Sequence, residues 1–273
     1  MASTPLLYES HCHTPLCKHA TGLPVEYARK AAARGLRGII FTDHCPLPDG
    51  ISARVRMAPE QFDEYVALIA LAREEMAGQV DVRLGLESDY YPGVEPWLEQ
   101  LHERVPLHYV IGSVHPQVPE YRARFFHGDW FEYQTTYFQH LAESAETGLY
   151  DALAHPDLVK NEQPSAWSYR RIEPAIERAL DRIAQTGVAM ELNTSGVNKA
   201  LPEMNPSVAM LTLMQARGIP VVLGADAHRP ERVGDGYEVA LRTLRSVGYT
   251  EVRYFLERRP QIVAIDAALA SLA

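Results

Sequence analysis

Cysteine is scarce in this chain: Cys12, Cys17 and Cys45 are the three present among 273 residues. An odd number cannot all pair, which argues against a disulfide-stapled secreted scaffold and favours a reduced, cytoplasmic setting. Long apolar runs are missing too. No stretch approaches the roughly 20 residues needed to cross a bilayer. Met1 to Leu7 has neither the basic nor the long apolar segment of a signal peptide, so none is expected. Nor is there an excess of positive charge. Lys and Arg number 26 against 35 Asp and Glu, a formal net charge of −9, which argues against nucleic acid or an anionic membrane as partner. That balance says less about a small phosphorylated substrate, because bound cations would reverse the potential locally.

What the chain does have is an alternation of short apolar runs and helix-like stretches. Candidate strands fall near 6–9, 37–42, 81–86, 109–114, 151–154, 188–192 and 220–225, nearly continuous in apolar character, as in a parallel sheet covered on both faces. Candidate helices begin at Pro24, run from Glu60 to Met76, and lie near 95–104, 130–147, 168–186, 206–217 and 236–247. Gly35, Gly78, Gly148, Gly187, Gly218 and Gly248 stand where helices end, supplying the left-handed conformation that stops them. No low-complexity linker interrupts the pattern. The α/β class therefore follows, with residues 1–273 expected as one domain and a distorted (β/α)7 barrel preferred over an open doubly wound sheet.

Histidines and carboxylates recur just past these runs: His11 and His13, His44, Glu87, His115, His155, Asp226 and His228, with His19 in the loop after the first run. Seven of the 11 histidines are in this set. Strand ends of a barrel converge at one rim, so scattered positions become one cluster of the groups that bind Zn, Fe or Mn. Residues two apart on a strand face the same side. His11 and His13 can therefore reach one ion, as can Asp226 and His228, while Cys12 should point away. His102, His108, His127 and His140 lack this setting and are expected to be structural or surface residues. Cys17 and Cys45 read as small buried hydrophobes.

Seven blocks in order resemble the PHP (polymerase and histidinol phosphatase) superfamily: His11-Cys12-His13-Thr14 with His19-Ala20, Phe41-Thr42-Asp43-His44, Gly85-Leu86-Glu87, Gly112-Ser113-Val114-His115, Ala154-His155-Pro156-Asp157-Leu158-Val159-Lys160, Glu191-Leu192-Asn193-Thr194-Ser195-Gly196 and Asp226-Ala227-His228-Arg229-Pro230. The branch most similar is that of the monofunctional histidinol-phosphate phosphatases. The resemblance implies the TIM-like PHP barrel and about three divalent ions (Zn, Fe or Mn) per chain. His11, His13, Glu87 and Asp226 would hold one ion. Glu87, His115 and His155 would hold a second, and His19, His44 and His228 a third. It implies L-histidinol phosphate as substrate, hydrolysed directly by a hydroxide that bridges two ions.

Other roles are less determined. Lys160, Lys199 and Arg229 lie in loops past strand ends, where a cation could clamp phosphate. Asp43 is a candidate for orienting a histidine or for giving the leaving group its proton. Asp89, Tyr90 and Tyr91 could receive the ammonium and imidazole of histidinol, and Asn193 could contact substrate. Asp157 could orient a histidine or cap its loop. The competing functions are a phosphoesterase acting on nucleotides or phosphotyrosine, an amidohydrolase-type barrel and a catalytically dead metal-binding module. An amidohydrolase would need a carboxylated lysine or similar bridge where Glu87 stands, and a dead module would be missing ligands.

Overall fold

The computed structural model describes residue 4 and residues 6–272. Residues 1–3, 5 and 273 lie outside it, and with them Pro5 of the first apolar run and part of the Met1 to Leu7 stretch. All the expected strands form: β1 (Tyr8–Glu9), β2 (Gly38–Phe41), β3 (Asp81–Asp89), β4 (Tyr109–Ser113), β5 (Ala152–Leu153), β6 (Ala189–Asn193) and β7 (Val221–Gly224). They lie side by side in chain order, each parallel to the next. A further bridge closes the sheet. Past the end of β1, Cys12 pairs in parallel with Ala227, His13 N donating to Ala227 O (3.0 Å) and Ala227 N to His11 O (3.0 Å). The first and seventh strands thus meet at their C-terminal ends in a distorted (β/α)7 barrel.

Seven of the helices match the periodic stretches: α1 (Pro24–Ala33), α2 (Phe62–Glu75), α3 (Glu95–His102), α5 (Trp130–Glu146), α6 (Tyr169–Ile183), α7 (Val208–Ala216) and α8 (Tyr237–Val247). All six helix-ending glycines have positive φ, from 68° at Gly218 to 107° at Gly248. On α2 the buried face is Phe62, Tyr65, Ile69 and Ala72, each large apolar side chain contributing about 1.5–3 kcal/mol by leaving water. The Tyr65 hydroxyl lies 2.9 Å from the carbonyls of both Phe41 and Gly85, which fastens α2 to the barrel beneath the rim. The buried apolar side chains form one continuous cluster.

A hairpin and two short helices go beyond the expected pattern. An antiparallel hairpin, β8 (Glu251–Leu256) with β9 (Arg259–Ala264), continues the sheet beside β7. Its two-residue turn puts Glu257 and Arg258 at φ 52° and 60°, a geometry usually signalled by Asn-Gly or Asp-Gly. Here contacts from outside hold it: Arg258 N donates to His108 O (3.0 Å) and the Arg258 guanidinium pairs with Asp151 (2.5 Å). The other additions are two short helices, α4 (Pro119–Phe125) and α9 (Ile265–Ser271). Among the described residues no helix is long and apolar enough to cross a membrane.

Candidate metal centre

Barrel alternation sets the site. Glu9, His11 and His13 follow one another at i, i+2 on the first strand and its extension, while the Cys12 sulfur turns away toward Ile40 O (3.5 Å). On β3, Glu87 and Asp89 face the rim and the intervening Ser88 hydroxyl lies 2.9 Å from His102 on α3. Glu87 sits at the centre, fully buried. Its Oε1 is 3.3 Å from His115 Nε2 and 3.1 Å from His155 Nε2. Its Oε2 is 2.7 Å from His44 Nδ1, 3.5 Å from His11 Nε2 and 3.7 Å from His13 Nε2. Asp226 Oδ1 approaches His13 Nε2 at 3.2 Å and His11 Nε2 at 3.8 Å. His19, His44 and His228 form a further group whose ligand atoms lie within 4.8 Å of one another.

Carboxylates and carbonyls behind the rings aim them. His11 Nδ1 lies 2.7 Å from Glu191, His115 Nδ1 3.0 Å from Asp89 and His13 Nδ1 3.4 Å from Asp43. His19 Nδ1 lies 2.7 Å from Cys17 O, and His228 Nδ1 3.1 Å from Asp226 O. The opposite ring nitrogens of His11 and His228 are buried and lack a hydrogen-bond partner, and His13 Nε2 and His44 Nδ1 are buried against carboxylate oxygens of Asp226 (3.2 Å) and Glu87 (2.7 Å). Such a concentration of buried polar atoms is costly unless something binds them. These are the atoms a divalent ion would take, with the partner groups behind them fixing tautomer and orientation. The residues present therefore fit metal ions. His155 and Asp226 also hold positive φ (28° and 49°), strain of about 1–3 kcal/mol each of the kind found at functional sites.

The electrostatics agree. Burial alone would raise the Glu87 carboxyl, but His44, His115 and His11 outweigh it and hold Glu87 well below the usual carboxylate range. Burial opposes charge on His13 and His115, yet Asp226 and Asp43 push His13 up to about 9, and Asp89 and Glu87 push His115 up to about 10. The surrounding carboxylates thus favour the protonated form of both rings in the metal-free protein, whereas a metal ligand must be neutral. Loading the metal-free chain with Mn or Zn at pH 7.5 should release about two protons or more per chain. Calorimetric titration in buffers of different ionisation enthalpy reads this directly; zero net release would mean that His13 and His115 are not displaced.

Several expected roles need correction. Lys160 does not face the centre: it is fully buried, and its ammonium is taken by Asp157 (3.0 Å), Met204 O (3.1 Å) and Glu203 (3.1 Å). Asp157 in turn accepts from Asn205 Nδ2 and Ser207 N, each at 2.8 Å, so it ties loops together and orients no histidine. Arg229 is exposed and outside the cavity lining. Asp43 is fully buried, accepting from the Thr14 hydroxyl and backbone and from His44 N, and its Oδ1 lies 3.4 Å from His13 Nδ1, which suits the orienting one of its two expected roles. Asn193 is buried with both ends of its amide occupied, donating to Glu191 and accepting from Ser195. Asp89 receives Arg56 through two nitrogens (2.6 and 3.3 Å), the Ser113 hydroxyl (3.3 Å) and His115 Nδ1 (3.0 Å). About four lone-pair sites meet four donors, which leaves none for a substrate ammonium.

Other residues enter in their place. Glu191 holds His11, and Gly224 makes room for it: a Cβ at Gly224 would collide with the Glu191 carboxylate and stand 2.6 Å from His11 Cβ. Both Glu191 and Glu9 lie two residues from other inward-facing positions, so the i, i+2 rule could have found them. Arg56, from the loop after β2, is 2% exposed and lines the cavity above the histidines; nothing in a loop sequence marks it. That cavity, of about 310 Å3, is bordered by His19, His44, His115, His155, Asp226 and His228, with Lys199 as its second cation. Tyr90 and Tyr91 border a smaller cavity behind His115. Cys17 is buried within reach of His13 and His228, but burial pushes its thiol up to about 12, away from the thiolate a metal would need.

An α/β barrel whose C-terminal rim gathers imidazoles and carboxylates around unpartnered ring nitrogens belongs to the class of metal-centred barrel proteins. Within that class the PHP domain family profile matches residues 9–195, and the chain belongs to that family. It is 40% identical over 255 residues to a protein of Deinococcus radiodurans described as a probable histidinol-phosphatase, covering 91% of this chain and 96% of that one. It is 26% identical over 264 residues to the histidinol-phosphatase of Bacillus subtilis, covering 85% of this chain and 97% of that one. The crystal structure of the Lactococcus lactis histidinol phosphate phosphatase, complexed with Zn, L-histidinol and phosphate, superposes with a TM-score of 0.74 at 20% identity, covering 93% of this chain and 98% of that one. That last likeness establishes the fold.

Proposed function

We propose that this single-domain chain is a metal-dependent phosphoric monoester hydrolase that converts L-histidinol phosphate to L-histidinol and phosphate, a step of histidine biosynthesis. The observation that carries this reading is the complete ligand constellation at the rim of a chain 40% identical to a protein described as a probable histidinol-phosphatase. About three ions, of Zn, Fe or Mn, would be held by the three sets given above, with Glu87 shared by two of them. Such ions lower the pKa of water toward about 7 and offset the charge of a phosphate dianion.

The protein's own contribution is binding and orientation. Lys199 borders the cavity as the cation free to meet the phosphate oxygens, in place of Lys160 and Arg229. Arg56, already committed to Asp89 and to Cys45 O (2.8 Å), holds the Asp89 carboxylate that aims His115. Burial would raise Asp89, but Arg56 and His115 keep it well below the carboxylate range and so ionised. Val118, Pro119 and Leu158 wall the cavity and limit water.

Phosphate release from L-histidinol phosphate, measured against nucleoside monophosphates and phosphotyrosine, tests the assignment. The histidinol ester should be preferred by at least an order of magnitude; preference for a nucleotide would move the chain to another branch of the family. Lys199→Ala should cost about ten- to a hundredfold in kcat/KM on every phosphate monoester alike, the loss of one hydrogen bond to a charged group. Unchanged kinetics would remove Lys199 from the phosphate site.

A further inference from the structure

Four of the proposed ligands stand on two facing segments, His11 and His13 past β1, Asp226 and His228 past β7. A parallel bridge joins the two, Cys12 opposite Ala227. Parallel strands space their hydrogen bonds evenly, so the next rung below would run from His11 N to Ala225 O and from Ala225 N to Glu9 O. Both N–H groups turn instead to one side-chain oxygen, Glu9 Oε1, at 3.0 Å each. Glu9 Oε2 accepts from Gly234 N at 2.7 Å, in the loop that follows His228. Lower on the seam the Ser10 hydroxyl donates to Leu223 O at 2.7 Å, and the Tyr237 hydroxyl lies 3.3 Å from both Tyr8 O and Leu223 O. Side chains hold this edge of the barrel where backbone rungs hold the rest.

Resting on the metal centre assigned above, we propose that Glu9 is a positioning residue for it. Glu9 sets the separation of the two ligand-bearing segments, and through it the geometry of any ion that draws donors from both. It is fully buried and lies outside the lining of the rim cavity, so it touches neither substrate nor solvent. One of its oxygens accepts from the backbone on each side of the seam, at His11 itself and at Ala225, the neighbour of Asp226. The ligand atoms that depend on this spacing stand close, with Asp226 Oδ1 3.2 Å from His13 Nε2 and 3.8 Å from His11 Nε2. Glu191 fixes the His11 ring at Nδ1, and Glu9 fixes the His11 backbone. Asp226 holds a φ of 49°, a conformation that persists only where the surroundings over-determine it, and Ala225 N is one of the fixed points. A carboxylate suits the task because its two oxygens meet three buried N–H groups. An amide does not: with its oxygen on His11 N and Ala225 N, its NH2 would face Gly234 N, donor to donor.

Cobalt(II) tests this role without turnover, since its visible bands follow the number and arrangement of its ligands. Glu9→Gln should weaken cobalt binding by the metal-free protein about ten- to a hundredfold, the usual loss when a group behind a metal ligand is removed, and should alter the bands of the bound ions. Glu9→Asp keeps two acceptor oxygens, set one methylene further back, and should fall between wild type and Glu9→Gln. If the Gln variant does not fold, weakened binding by Glu9→Asp supports the role and wild-type binding overturns it. Ser10→Ala removes a hydrogen bond from the same seam without touching the ligand backbone. It should lower the melting temperature and leave cobalt affinity and spectrum at their wild-type values. Wild-type affinity and bands in both Glu9 variants would overturn the role. So would a spectral change in Ser10→Ala equal to that in Glu9→Gln, since Glu9 would then be one seam contact among several. A wild-type protein that binds no cobalt would instead overturn the metal centre itself, and this role with it.

Discussion

Glu87→Gln should abolish activity, lowering kcat/KM by on the order of a thousandfold or more, and should strip metal from the protein. Its two oxygens face different partners, Oε1 toward His115 and His155 and Oε2 toward His44, His11 and His13. A carboxamide keeps the shape but removes the negative charge and replaces one acceptor with a donor. The oxygen-to-nitrogen change affects both ions that Glu87 is proposed to share, and each provides several kcal/mol of charge stabilisation, about tenfold per 1.36 kcal/mol. His19→Ala, by contrast, should disturb the third ion alone and cost less. Elemental analysis beside steady-state kinetics distinguishes the two variants. A Glu87→Gln protein with near-normal turnover and full metal content would remove the bridge.

The second large effect is on stability. Lys160→Ala should destabilise the chain by about 3–5 kcal/mol, because it leaves the fully buried Asp157 carboxylate without its ion partner. Asp157 also holds Asn205 and Ser207 N, so the loop that carries Lys199 would loosen with it. At roughly 2–4 °C per kcal/mol for a chain of this size the melting temperature should drop by about ten degrees. Pairing the change with Asp157→Asn should recover part of the loss, since the stranded charge is removed; a double-mutant cycle reads this coupling. A variant that melts like wild type but binds phosphate poorly would return Lys160 to the phosphate site.

The contrast between Lys160 and Lys199 marks how far the amino-acid sequence speaks. Each sits in a loop past a strand end, and sequence alone gives no way to tell which ammonium is spent on Asp157 and Glu203. The ligand positions, by contrast, were legible because barrel topology converts a local pattern, a polar residue after an apolar run, into convergence. The same logic covers Glu191 and Glu9, whose i, i+2 spacing from Asn193 and His11 was available to be read. Arg56 was not legible, because its role comes from pairing with Asp89 across 33 positions. Asp89 itself was misplaced for the same reason, its acceptors being filled by residues remote in sequence. In the fold, the β8–β9 hairpin escaped because Glu257 and Arg258 occupy a turn normally marked by glycine, held by His108 and Asp151. Helix α4 escaped because its seven residues are too few for helical periodicity to show.

Metal stoichiometry measured together with phosphate release tests the central claim most directly. Metal-free protein titrated with Mn or Zn should gain L-histidinol phosphatase activity in step with ion binding, saturate near about three ions per chain, and lose that activity to a chelator. A chain that binds no first-row metal ion, or releases phosphate equally well after chelation, would contradict the assignment of this rim as a metal-dependent phosphatase centre.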